Sequence, residues 1–121
     1  MRLTIKTKLM LFALGEYYKQ VNEQLRDKSR QVVIPKTDFI NVVKKTGITQ
    51  KQPRAIYRNL EILEKKKFIA YKGRFLRLTP AGMRAVANIE ATIAPYLNIL
   101  ELFKQKKVME YTKKPQTVFV E

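Results

Sequence analysis

Thr46-Gly47-Ile48-Thr49-Gln50-Lys51-Gln52-Pro53-Arg54-Ala55-Ile56-Tyr57-Arg58-Asn59-Leu60 is the stretch whose reading decides the fold. Gly47 sits where a helix closes in a left-handed residue, which makes Thr46 to Thr49 a turn. Pro53 suits the first position of a new helix, where its missing N–H costs little, and it steers Gln52 away from helical angles. Ile56, Leu60 and Leu63 then form one apolar stripe, which predicts a helix from about Pro53 to Lys66.

Outward from this turn the pattern stays regular. Upstream, Lys36 or Thr37 opens a short helix carrying Phe39, Ile40 and Val43. Before it, Gln31-Val32-Val33-Ile34 is a β-branched run ended by Pro35, which predicts a brief strand. Leu11, Leu14, Tyr18, Val21 and Leu25 recur at steps of three and four, the stripe of a first helix over about Thr7 to Leu25. Downstream, Phe68 to Tyr71 and Phe75 to Leu78 flank the tip Lys72-Gly73-Arg74, a β-hairpin. Thr79 caps a last helix that starts at Pro80. The fold class is mainly α with a small β-hairpin wing. Two helices joined by a glycine turn and followed by a hairpin are a winged helix-turn-helix, here with a long C-terminal helix.

Composition narrows the chemistry. The 121 residues suit one compact domain, and 45% apolar content suits a folded core. With 25 Lys and Arg against 10 Asp and Glu, the formal net charge is +15. A chain that repels itself so strongly is expected to meet a polyanion: nucleic acid first, then an anionic membrane or an acidic protein. The chain has no Cys and no His. Disulfides, thiolate chemistry, zinc sites and His-dependent catalysis each lack a required member, so no metal, no cofactor and no enzymatic activity are expected. The four glycines form no phosphate loop. The basic start followed by Leu9 to Gly15 imitates a signal peptide, but the apolar run is short and meets Glu16. The expectation is a cytoplasmic protein, at the nucleoid, with no membrane segment.

Two motifs resemble winged helix-turn-helix regulators of the prokaryotic MarR and PadR type. Ala55-Ile-Tyr-Arg-Asn-Leu-Glu-Ile-Leu-Glu64 with Lys-Lys-Lys-Phe-Ile69 is similar to their recognition helix and the strand start after it. Leu78-Thr-Pro-Ala-Gly-Met-Arg-Ala-Val86 resembles the Leu-Thr-x-x-Gly segment that leaves the wing. With the helices before them, these motifs cover roughly residues 9 to 86. The family usually has Gly where Lys67 stands, so Lys67 must adopt a left-handed conformation or alter the helix exit. The resemblance implies that the third helix enters the major groove of double-stranded DNA and that the wing reaches backbone or minor groove.

The charge distribution agrees. From Lys44 to Arg77 there are eleven basic and two acidic residues; from Pro80 to Glu121 there are six and four. Opposite the buried stripe of the third helix, Arg54 and Arg58 project with Ala55 and Gln52 beside them, suited to base edges. Thr49, Gln50 and Lys51 precede the helix and suit phosphates. In the wing the expected contacts are Lys72, Gly73 and Arg74. Each set has a plain alternative, as solvated helix residues or a soluble hairpin turn. Lys65 to Lys67 read first as a solvated helix end favoured by the helix dipole and only second as a phosphate site, and the pair Lys44 and Lys45 is similarly ambiguous. Tyr17, Tyr18, Tyr57, Phe68, Tyr71 and Phe75 fall on apolar stripes and are expected in the core, which weighs against a single-strand binder.

Beyond the wing, Val86, Ile89, Ile93, Tyr96, Leu100 and Phe103 are spaced as a heptad seam, widened by Leu97, Ile99 and Leu102. They predict a homodimer through this helix, the alternative being a fold-back onto the first helix. Pro95 is expected to kink or split the helix near Ala94. The resulting organisation is a DNA-binding domain over 1–79, a dimerisation helix over 80–111 and a tail over 112–121. The expected function is a sequence-specific transcriptional regulator binding double-stranded DNA. The alternatives are an architectural, nucleoid-associated DNA protein and a winged module for RNA or a protein assembly.

Overall fold

The computed structural model of the chain describes residues 3–24, 32–48, 53–105 and 110. Among the described residues are four helices and one three-stranded antiparallel sheet. In chain order they are α1 (Ile5–Gln24), β1 (Ile34–Pro35), α2 (Lys36–Thr46), α3 (Pro53–Lys65), β2 (Ile69–Lys72), β3 (Phe75–Leu78) and α4 (Pro80–Lys104). The chain is thus mainly helical, with a hairpin-like wing. Two compact units, 1–90 and 91–121, divide it.

The core of the first unit is built from the expected stripes. Met10, Leu11 and Leu14 of α1 meet Phe39 and Val43 of α2, Ile56, Leu60 and Leu63 of α3, and Ile69, Leu76 and Leu78 of the sheet. Each such side chain removed from water stabilises the fold by about 1.5–3 kcal/mol. Two polar groups share this interior and satisfy each other: the Thr7 hydroxyl donates to Asn59 Oδ1 at 2.5 Å, and Asn59 Nδ2 donates to the Ala55 carbonyl at 2.7 Å. Thr4 caps α1 by accepting the Thr7 amide at 3.2 Å.

The strand order is β1-β3-β2, so β3 is central. Ile69 stands opposite Leu78 and Lys72 opposite Phe75, while Ile34 stands opposite Leu76. Two expectations are corrected here. The first strand lies at Ile34–Pro35 rather than at 31–34, with Gln31 outside the described residues, and Pro35 does not end the pairing but stands opposite Phe75. An edge strand tolerates proline, and the next amide, of Lys36, donates to the Arg74 carbonyl at 2.9 Å. Of the kink or split expected near Ala94, the split is what is corrected: α4 runs unbroken through Pro95 to Lys104. Proline removes one hydrogen bond, and the turns on either side carry the helix past it. The tail expected at 112–121 lies outside the described residues. No described helix is long and apolar enough to cross a membrane.

Candidate nucleic-acid interface

The amphipathic pattern of α3 decides which of its side chains are available. Ile56, Asn59, Leu60 and Leu63 are buried. At 3.6 residues per turn the opposite face carries Arg54, Arg58, Glu61 and Lys65, all exposed. Arg54 and Arg58 therefore stand one above the other, with half-buried Ala55 at the edge of their face. Thr49, Gln50, Lys51 and Gln52 lie outside the described residues. Lys72, Gly73 and Arg74 are all exposed at the hairpin end, where Gly73 takes φ +62°. A two-residue turn demands that positive angle, and glycine supplies it without strain. Lys44 and Lys45 are exposed at the end of α2.

The exit from α3 fixes the hairpin relative to the helix. Lys67 does take the left-handed conformation, at φ +62°. The Phe68 amide donates to the Leu63 carbonyl at 3.0 Å and the Lys67 amide to Glu64 at 2.9 Å, the pair of bonds of a Schellman closure. The start of α4 then holds the turn. The Thr79 hydroxyl donates to the Lys67 carbonyl at 2.6 Å, and the Thr79 amide donates to the Phe68 carbonyl at 3.1 Å. The same hydroxyl accepts the Gly82 amide at 3.0 Å as the cap of α4. Gly82 has no room for a side chain, because a Cβ there would overlap the Phe68 carbonyl oxygen.

A second tie was not visible in the sequence. The Lys36 ammonium lies 5.3 Å from the ring centre of Tyr57 on α3 and 5.1 Å from that of Tyr71 on β2. Its amide meanwhile holds the wing turn at Arg74. One residue thus bridges helix and hairpin by cation–π attraction, worth about 0.5–1 kcal/mol per ring at exposed sites. Burial pushes the Tyr71 hydroxyl up to about 12, with the negative charges of Glu64 and Glu61 acting in the same direction.

Two aromatics expected in the core are instead exposed: Tyr57 and Phe75. The signal that finds Phe75 is period-two alternation. Leu76 and Leu78 face inward on β3, so Phe75 and Arg77 face outward. Tyr57 lies beside the buried stripe of α3 rather than on it.

Along α4 the six seam positions do different things. Val86 is buried in the chain's own core, where a Cβ at Gly15 would come within 2.5 Å of it, and Ile89 packs partly buried against the same core. Ile93 is half-buried, whereas Tyr96, Leu100 and Phe103 are exposed by 69, 63 and 57%, with Leu97 and Ile99 also more than half exposed. The exposed part of the stripe therefore lies beyond Ile89.

Between α1 and the α2 turn runs an apolar groove of about 970 Å³, walled by Leu9, Phe12, Tyr17, Val21, Val42 and Ile48. Among the described residues no group of three Asp or Glu is placed to hold a metal ion. No protein-family model matches the chain, and no match exists among the curated proteins or the solved structures compared with it.

Proposed function

We propose that the chain is a winged helix-turn-helix protein that binds double-stranded DNA as a sequence-specific transcriptional regulator. The observation that carries the reading is the solvent face of α3. Arg54 and Arg58 are exposed one turn apart, opposite a fully buried stripe. A guanidinium pair so mounted can reach guanine O6 and N7 in a major groove, which admits one helix. The wing tip, with Lys72 and Arg74 exposed, is suited to the neighbouring backbone or minor groove. Glu61 between Arg58 and Lys65 limits the cationic face to the N-terminal half of α3, the half that helix-turn-helix docking uses.

The apolar stripe of Tyr96, Leu97, Leu100 and Phe103 supports a homodimer, because a second copy of the same stripe would cover it. Two copies would present two α3 helices to half-sites about one DNA turn, ~34–36 Å, apart. Sedimentation should find a dimer that Leu100→Lys converts to monomer.

The deciding experiment is selection of bound duplexes from a random pool, repeated with Arg54→Ala and Arg58→Ala. Each substitution should cost about 1–3 kcal/mol on the selected site and relax the preference at one position. Lys72→Ala should instead weaken all sequences alike and reduce the salt slope by about one. A specificity ratio near unity for the unaltered protein makes it an architectural binder. Unchanged motif and affinity in both arginine variants removes α3 from the interface.

A further inference from the structure

The outer face of the small sheet adjoins the wing tip, shares Lys72 with it, and does not include the arginines of α3. On β3, buried Leu76 and Leu78 point inward, which leaves Phe75 and Arg77 outward. Lys72 stands opposite Phe75 and Ala70 opposite Arg77 across one ladder, and Pro35 stands opposite Phe75 across the other. Val33, two residues before Pro35, is exposed as well. The outward positions are thus Val33, Pro35, Ala70, Lys72, Phe75 and Arg77, with two cations, no acid and an aromatic ring on the central strand. Phe75 is 44% exposed although it has a neighbouring strand on each side.

An exposed ring on a sheet face, with cations as cross-strand and next-but-one neighbours, has the chemistry of a base-stacking site. Directly opposed Cβ atoms lie about 4.5–5.5 Å apart, so the Lys72 ammonium reaches the phosphate of a base laid on the ring. We propose that Phe75 is a stacking platform for an unpaired nucleobase, with Lys72 and Arg77 holding the phosphates that flank it. The occupant is a single strand rather than a duplex. Paired bases hide their faces in the stack, and a ring lying within a sheet face is no projecting wedge. The surface goes beyond the proposed duplex binding and uses two residues, Phe75 and Arg77, that the duplex reading leaves idle.

The chain has no tryptophan, so Phe75→Trp places one fluorophore at the site. It would be titrated with an oligothymidylate of about 12 nucleotides, the same strand with abasic sugars, and a duplex of equal length. The base-bearing strand should quench the indole and the abasic strand should not. Phe75→Leu should lower affinity for the base-bearing strand about 5- to 100-fold, the loss of one stacking contact. Phe75→Tyr, which keeps the ring, should retain it, and the comparison of base-bearing with abasic strands stands even if the Leu variant folds poorly. Arg77→Ala should weaken base-bearing and abasic strands alike. The proposal is overturned if abasic and base-bearing strands quench equally, or if Phe75→Leu binds the base-bearing strand as Phe75→Tyr does; quenching by the duplex reports the wing contact of the duplex reading and does not bear on the strand site. Duplex recognition fails or holds separately, through the Arg54 and Arg58 variants.

Discussion

The loops on either side of the two central helices are built differently, although both need a left-handed residue. At the end of α2, Gly47 takes φ +76° with nothing within 4 Å of where its Cβ would be. That turn is held only by its own neighbours, the Thr46 hydroxyl donating to the Val43 carbonyl at 2.6 Å and accepting the Ile48 amide at 3.3 Å, and the positive angle itself comes from the glycine. At the end of α3, Lys67 takes φ +62° against the preference of an L-residue with a long side chain. That turn is imposed from outside by Thr79 and by the backbone packed over Gly82. One turn is permitted by sequence and the other is held by contacts. The distinction bears on the proposed duplex binding, because the second turn sets where the wing stands relative to α3.

If the contacts hold the Lys67 turn, breaking them should cost most. Gly82→Ala drives a methyl group into the Phe68 carbonyl and forces the start of α4 off the turn. The loss should be about 3 kcal/mol, from overpacking and the strained Thr79–Phe68 bond together. A urea melt measures it. Next in size is Gly47→Ala, where no clash adds to the conformational penalty. A left-handed alanine costs about 1–2 kcal/mol, partly offset by a stiffer unfolded chain, so the stability should fall by about 1 kcal/mol. Should Gly47→Ala prove costlier than Gly82→Ala, the locally made turn and the turn held from outside have been assigned the wrong way round.

The contrast also explains what the sequence could reveal. The α3 faces were legible because Ile56, Leu60 and Leu63 repeat at helical spacing, and that repeat by itself turned Arg54 and Arg58 outward. Gly47 was legible because glycine announces its own backbone angle. Lys67 was legible only as an anomaly, since the contacts that hold it come from beyond the hairpin. Lys36 gave no signal at all, because its two tyrosine partners meet it only in the folded chain. The same is true of Thr7 and Asn59, 52 residues apart. Phe75 was misread for another reason: hydrophobicity argued for burial, while strand alternation with Leu76 and Leu78 argued for exposure, and alternation won. The long α4 stripe was read as one seam, yet its first member Val86 is spent inside the chain. Periodicity locates a face without saying which neighbour covers it.

The smallest effect has the opposite sign and tests the comparison most directly. Lys67→Gly removes the left-handed penalty of about 1–2 kcal/mol but adds backbone entropy to the unfolded chain, about 0.5–1 kcal/mol. The net should be a gain of about 0.5 kcal/mol, seen as a raised urea midpoint at unchanged slope. The Schellman bonds from Lys67 and Phe68 use main-chain atoms, so glycine keeps both. The Thr79 hydroxyl likewise still finds the carbonyl of residue 67. Duplex affinity should then fall only by the one charge removed, with the salt slope reduced by no more than about one. A stability loss would mean that the lysine stem, and not the turn it occupies, contributes packing. A larger fall in affinity with an unchanged salt slope would mean that strain at Lys67 aims the wing, making that residue more than a tolerated misfit.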